Sequence, residues 1–385
     1  MPAKHSWTAM PAWMPRFVPA FVPVFVAALL LASLLAWPLA SFAWAQTGES
    51  SAVPGKEEAA RVVDRFLEAS GGYEQLRAMR SYAAEAEPEV YGNGYSLHLV
   101  SDGRFRVEAA DRVILFDGRD HWLSYRGLVA PVTGDALGQY QDLNLNQLLF
   151  HGLFDAAGKR VPLAYAGTQR VHGRSCHVLI DKSQAERKRE YDFDAQTGLL
   201  ERIVETVPDP ELRELKNIYT FSDYQTVGGM VLPTRTHGQC LTDGSEVEPL
   251  TRFSNVRVNE PVDETLFTKP QATAPAASQV GDALAGQVLA LSGGGSLITN
   301  ITKADLEKLG VADSTAIVAV VRDHQTELLY RDNPDLAAVS PGSYLAMFNG
   351  TPALWLVKAY QGMRSDDSTY AAGDAIRLTK APASK

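Results

Sequence analysis

Between residues 95 and 251 the chain is a succession of short apolar–polar segments broken by turn residues, and this punctuation limits the fold more than any other feature. Residues 95–100, 104–108, 113–116 and 121–125 are separated by Asp102-Gly103, Ala110-Asp111-Arg112 and Asp117-Gly118-Arg119-Asp120. Apolar runs of that length between such turns read as neighbouring antiparallel strands. Strand signals return near Leu163, Cys176, Arg187, Leu199, Ile218, Met230 and Thr251. Residues 187–194 alternate strictly, with Tyr191 and Phe193 on one side and Glu190, Asp192 and Asp194 on the other. The expected sheet therefore has one buried and one wet face.

A one-sided sheet needs a cover. Residues 57–69 place Ala59, Val62, Val63, Phe66 and Leu67 on one helical stripe, and Gly71 supplies a left-handed stop. A short helix over 73–79 follows, with Leu76 and Met79 inward. Within LNLNQLLFHGLFD, Leu145, Leu148, Leu149 and Phe150 fit a third helix.

The chain has 385 residues, 45% hydrophobic and 21% charged, enough for two or three ordinary domains. Its first segment stands apart. Lys4 and Arg16 precede an apolar run over 24–37, and Ala43-Trp44-Ala45 puts small residues where a signal peptidase reads. That is the layout of a secretory signal over 1–45, cleaved after Ala45, with a flexible stretch over 46–56. Prolines 19, 23 and 38 leave an uninterrupted run below the roughly 20 residues of a spanning helix, so no stable membrane span is expected after cleavage. A formal charge of −9 argues against nucleic acid and against anionic membrane surface as partners. An oxidising, periplasmic location permits a Cys176–Cys240 bridge. In a plain meander several strands would separate the two cysteines.

After Pro270 the text QATAPAASQVGDALA has small residues and proline without period, a linker over 271–285. A second unit spans 286–379, ahead of a tail over 380–385. Strands are expected near Gln287, Ala316, Tyr344, Ala353 and Ala375, with a helix over 303–309. Thr302 and Asp305 can form a capping box at its start. The expected fold class is mainly β (α+β): an antiparallel half-barrel covered by helices over 57–270, followed by a small β-barrel domain.

No catalytic set emerges. Cys176 and His177 differ in strand parity, as do His237 and Cys240, so neither pair converges on a metal. CxxC, HExxH and GxSxG are absent. Asp192 with Asp194, and Glu85 with Glu87 and Glu89, read as solvated strand faces. The run LSGGGSLITNI at 291–301 lacks the lysine of a phosphate loop, and the next helix starts only near Lys303. The chain is expected to be non-enzymatic and to use no cofactor.

Several segments taken together carry a resemblance: ASGGYEQLRAMRSY, FDGRDHW, GRSCHVLID, YDFDAQTGLLERI, FSDYQTVGGMVLPTR and NVRVNEPVDETLFTKP. In this order they resemble the bacterial lipoprotein-sorting (LolA/LolB-type) family. The resemblance implies an incomplete barrel whose concave face is plugged by helices and, in carriers, holds acyl chains. The candidate cavity residues are Phe66, Trp122, Leu149, Phe150, Tyr219 and Phe221, although aromatics on a covered sheet face are more often core than ligand contacts.

A second resemblance rests on GQVLALSGGGSLITNITKADLEKLG, VSPGSYLAMFNGTPALWLV and YAAGDAIRL. These are similar to the C-terminal β-barrel of S-adenosylmethionine hydroxide adenosyltransferases. That family's loop typically carries an Asp, an aromatic and an Asn. Here Ser292, Gly294 and Ser296 stand in the loop, with Thr299 and Asn300 remaining, so adenosyl transfer is not implied. The function expected is an exported periplasmic binding protein holding a lipid or acyl chain, or docking an envelope protein. The alternatives are a degenerate adenosine-type binder and an envelope scaffold without a small ligand, the last favoured if the space under 145–150 is filled.

Overall fold

The computed structural model describes residues 54–382 except 90–93, 133–136, 138–139, 141–142, 156, 182, 184–187, 210–212, 242–245, 293–294, 333–338, 341, 349 and 359–369. The signal at 1–45 and Gly294 lie outside the described residues. Helices α1 (Pro54–Ala69) and α2 (Tyr73–Arg77) open the chain. Six strands follow: β1 (Ser81–Pro88), β2 (Tyr95–Val100), β3 (Phe105–Ala109), β4 (Arg112–Phe116), β5 (His121–Tyr125) and β6 (Leu128–Pro131). After helix α3 (Leu145–Phe150) come β7 (Leu163–Val171), β8 (Arg174–Asp181), β9 (Lys188–Asp194) and β10 (Leu200–Asp209). The sheet ends with β11 (Arg213–Val227), β12 (Met230–Cys240) and β13 (Glu246–Val258).

These thirteen strands form one antiparallel sheet in the order β6-β5-β4-β3-β2-β1-β13-β12-β11-β10-β9-β8-β7. It is two meanders joined where β1 pairs with β13, Tyr82 opposite Val258. Strand parity assigns the faces. Tyr82, Leu99, Phe105, Tyr191, Phe193 and Met230 point to the concave side and share one core with α1, α2 and α3. All five stripe residues of α1 are buried. The turn after α1 lies against the β11–β12 hairpin: a Cβ on Gly71 (φ 109) would sit 2.7 Å from the Gly229 oxygen, so only glycine fits there.

The opposite face is less wet than the alternation suggests. Asp192 is wholly buried; it accepts from Gln169 Nε2 at 2.6 Å and from Arg202 Nε at 2.5 Å. Asp194 is also buried, its carboxylate accepting from the Gln196 and Thr197 amides. Long side chains from β10 and, across β8, from β7 lie over a short carboxylate, which a period-two pattern does not register.

The segment after β13 crosses the outer face as a strap. A 3₁₀ turn at Glu264–Phe267 packs Phe267 against Val100 and Leu115. Ser81 donates to the Glu260 carbonyl, and Arg106 to that of Leu266 at 3.1 Å. The Lys269 ammonium lies 4.0 Å over the Trp122 ring. The Thr273 and Ala274 amides both donate to the Gly127 oxygen, at 2.9 and 3.0 Å. The small residues read as a linker are thus fastened by their backbone. Within them β14 (Ser278–Val280) pairs with β15 (Ala283–Leu291).

The second unit adds β16 (Leu297–Thr299), α4 (Lys303–Lys308), β17 (Ala316–Val321), β18 (His324–Arg331), β19 (Tyr344–Phe348), β20 (Leu354–Lys358) and β21 (Ala375–Lys380). Pairing of β15 with β21 closes seven strands into a barrel around Leu284, Leu297, Ile317, Leu356 and Leu378. The β18–β19 pair is parallel. The Thr302–Asp305 capping box is present. Tyr125 and Leu128 of the sheet pack with Ala290, Ile298 and Ala353 of the barrel, and the Tyr125 and Trp355 rings stack at 6.5 Å. The molecule is a mainly β half-barrel covered by helices, followed by a small closed β-barrel.

Candidate ligand-binding face

Five of the six cavity candidates meet. Phe66 from α1, Leu149 and Phe150 from α3, and Tyr219 and Phe221 from β11 belong to the concave core. Trp122 does not, which corrects its assignment. It lies opposite Leu115 on the outer face, with Nε1 donating to Asp117 Oδ2 at 3.0 Å and Lys269 over its ring. Its neighbour His121 takes the inner side and stacks on Phe116 at 4.3 Å. The two are adjacent in one strand, so parity alone separates them.

The centre of this face is covered by α3. Asn144 caps its start by accepting from the Gln147 amide at 2.9 Å. Its end turns sharply: His151 is left-handed (φ 49) and Gly152 follows at φ 82. A left-handed histidine costs about 1–2 kcal/mol, so the stop must be held by its surroundings. The His151 ring is buried 4.7 Å from Phe221. Beneath, Glu205 accepts from Arg189 Nε at 2.9 Å, the Arg189 guanidinium hydrogen-bonds the Tyr191 oxygen, and Tyr191 donates to the His151 carbonyl at 3.2 Å. A Cβ on Gly152 would collide with Arg189 Nη1. Burial, with Arg189 adding to it, holds the His151 imidazole down near 4, so it is neutral.

This polar relay was not legible in the sequence. Its members come from α3's end, β9 and β10 and carry no motif spacing. The one local signal is a glycine directly after a histidine at the end of an apolar run.

The concave face is filled by side chains: Phe66, Leu149 and Phe150 are each no more than 6% exposed. A cavity of about 140 Å³ lies beside α1, near Arg61, Arg65 and His177. That is below the roughly 300–1,000 Å³ of small-molecule pockets. A second, of about 340 Å³, is lined by polar groups including Glu85, Glu87 and Glu108. Neither lies under α3.

In the second unit Ser292 and Ser296 are hydrogen-bonded to each other. Ser292 donates its amide to the Ser296 carbonyl at 2.9 Å, and the Ser296 amide donates to Ser292 Oγ at 3.0 Å. Thr299 Oγ1 donates to the Leu354 carbonyl at 3.0 Å. Asn300 accepts from the Gln287 amide and donates to the Pro275 carbonyl, both at 2.7 Å. These residues spend their hydrogen bonds inside the protein. Asn300→Ala would strand two partners next to the strap, and a loss of about 2–4 kcal/mol is expected. Denaturant unfolding, with faster proteolysis between 271 and 280, checks it.

Among the described residues no cluster of His, Cys, Asp and Glu is arranged to hold a metal. Cys176 and Cys240 are free and buried on β8 and β12, with three strands between them. Burial, then Asp192, Glu201 and Asp194, push the Cys176 thiol up to about 11, which leaves it unreactive. No described helix is long and apolar enough to cross a membrane.

No family model matches the chain. No curated protein matches it either. Solved structures do. A putative outer membrane lipoprotein-sorting protein domain from Vibrio parahaemolyticus is similar over 56% of this chain and 97% of that one, at 14% identity and TM-score 0.37. A LolA superfamily protein from Nitrosomonas europaea is similar over 53% of this chain and 96% of that one, at 15% identity and TM-score 0.32. An uncharacterized conserved protein from Thermotoga maritima is similar at 17% identity and TM-score 0.25 over 29% of this chain, which spans only 42% of that protein's length. Similarity this low leaves function to the geometry.

Proposed function

We propose that this is an exported, non-enzymatic envelope protein whose half-barrel holds a lipid or acyl chain, in the manner of lipoprotein-sorting carriers. The signal at 1–45, cleaved after Ala45, would deliver it to the periplasm, and the barrel at 286–379 would serve as a docking or stabilising module. The observation that carries the reading is the cover over the concave face. Its centre is one six-residue helix, α3, that presents Leu145, Leu149 and Phe150 inward.

A magnitude supports displacement. Exposing those three side chains costs about 1.5–3 kcal/mol each. A sixteen-carbon chain leaving water gains about 0.8 kcal/mol per methylene, roughly 12 kcal/mol. An acyl chain can therefore take the place of α3, although the resting interior is filled. That filling is what favours the second reading, an envelope scaffold without a small ligand. The adenosine-type alternative has less support, because Ser292, Ser296, Thr299 and Asn300 are engaged internally.

Lipid mass spectrometry of the full-length gene product recovered from the periplasm tests the proposal. Co-purifying acyl lipid and saturable binding of an apolar fluorescent dye are expected. If neither is seen, the scaffold reading replaces this one.

A further inference from the structure

The relay under α3 holds a polar donor, the Tyr191 hydroxyl, against the apolar core of the concave face. Arg189 donates to the Tyr191 oxygen, so the phenol proton is left to point at α3, where it meets the His151 carbonyl. Burial raises the Tyr191 phenol above its ordinary range, so it remains a donor. When an acyl chain displaces α3, that carbonyl leaves with the helix. A donor without an acceptor in apolar surroundings is costly, so the ligand that suits this face brings an oxygen to replace it.

Charge selects the kind of oxygen. Asp181 and Glu205 flank Arg189 from β8 and β10, each in register with it, and both are buried. Two carboxylates around one guanidinium leave a negative excess, which disfavours a third carboxylate. A carbonyl in neutral linkage carries no such penalty.

Resting on the acyl-chain reading, we propose that the Tyr191 hydroxyl is the polar subsite for a neutral acyl carbonyl, ester or amide, which replaces the His151 carbonyl when a chain displaces α3. The hydrocarbon then lies over Phe221, Phe150's vacated space and Phe66, with its carbonyl fixed at β9. Free fatty acids and plain alkanes fit the groove less well, the first by charge and the second by leaving Tyr191 unpaired.

The test is displacement of an apolar fluorescent dye from the full chain at pH 8 by methyl laurate, N-methyl lauramide, laurate and tridecane. Wild type is expected to prefer both the ester and the amide over laurate and tridecane by about five- to tenfold, one hydrogen bond's worth. Tyr191→Phe also frees α3, so absolute affinities shift for every ligand. The informative readout is the ester-to-tridecane ratio within that variant, expected to fall to near one. A ratio unchanged by Tyr191→Phe overturns the subsite, and so does laurate binding as tightly as its methyl ester. Should the dye itself fail to bind, the acyl-chain reading fails with it. Should dye and tridecane bind while the carbonyl confers no preference, only the subsite fails.

Discussion

Replacing Phe66 with alanine is expected to lower the unfolding free energy by about 3–5 kcal/mol, the cost of truncating a fully buried phenylalanine. The residue sits on the α1 stripe at 2% exposure, its ring 5.3 Å from that of Phe193 on β9. It therefore joins the helical cover to the far half of the sheet. Removing it takes away that contact and leaves a void that neighbouring backbone cannot collapse into. Denaturant melts with an unchanged slope would show the loss directly. The variant also speaks to function. A void lined by Phe193 is expected to take up small apolar molecules and recover stability with them. A loss below about 1 kcal/mol would mean that Phe66 is not part of the resting core.

That variant concerns a residue whose place was legible from spacing alone. The stripe of α1, the hairpins of β2 to β5 and the Thr302–Asp305 cap follow local rules, and local rules survive into the fold. What could not be read depends on contacts between distant residues. His121 and Trp122 differ only in parity, and both are aromatic, so either could have faced inward. Asp192 carries a surface-like alternation, yet Arg202 from the adjacent strand and Gln169 from two strands away enclose it. The segment 271–285 has a linker's composition because its attachment uses backbone amides on the Gly127 oxygen, which no side-chain pattern records.

The second unit makes the same point in reverse. That Ser292 and Ser296 bring neither a carboxylate nor an aromatic ring to its loop was legible, because that statement concerns residue types. That Asn300 ties the strap to the barrel through Pro275 was not, since an asparagine in a glycine-rich context reads as ligand or as turn. One residue fastens the segment expected to be a linker to the small barrel.

Lowering the pH from 7 to 4 is expected to remove about 3 kcal/mol of stability through His151 alone. Burial first, and Arg189 second, hold its folded-state value near 4, against 6.5 for the free side chain. Between those values the unfolded chain binds a proton that the native chain does not. Stability therefore falls as pH drops through 6.5, and the loss nears completion around 4. At about 1.4 kcal/mol per unit, the shift amounts to roughly 3 kcal/mol. Asp192 acts in the opposite sense: burial raises its carboxyl, so its ionisation opposes folding and acid relieves it. The net acid slope of wild type mixes these with the lowered His98, His121, Asp117 and Asp194, and the difference from a variant isolates His151. His151→Asn retains tolerance for the left-handed turn while removing the titration. Its stability from pH 7 to 4 should fall by about 3 kcal/mol less than that of wild type. An equal fall in both proteins would mean that burial does not lower the proton affinity of the imidazole. The same protonation places a second cation beside Arg189 at the end of α3. Acid should thus loosen the helix that covers the groove before it unfolds the sheet, and dye binding should rise between pH 6 and 4 in wild type but not in His151→Asn.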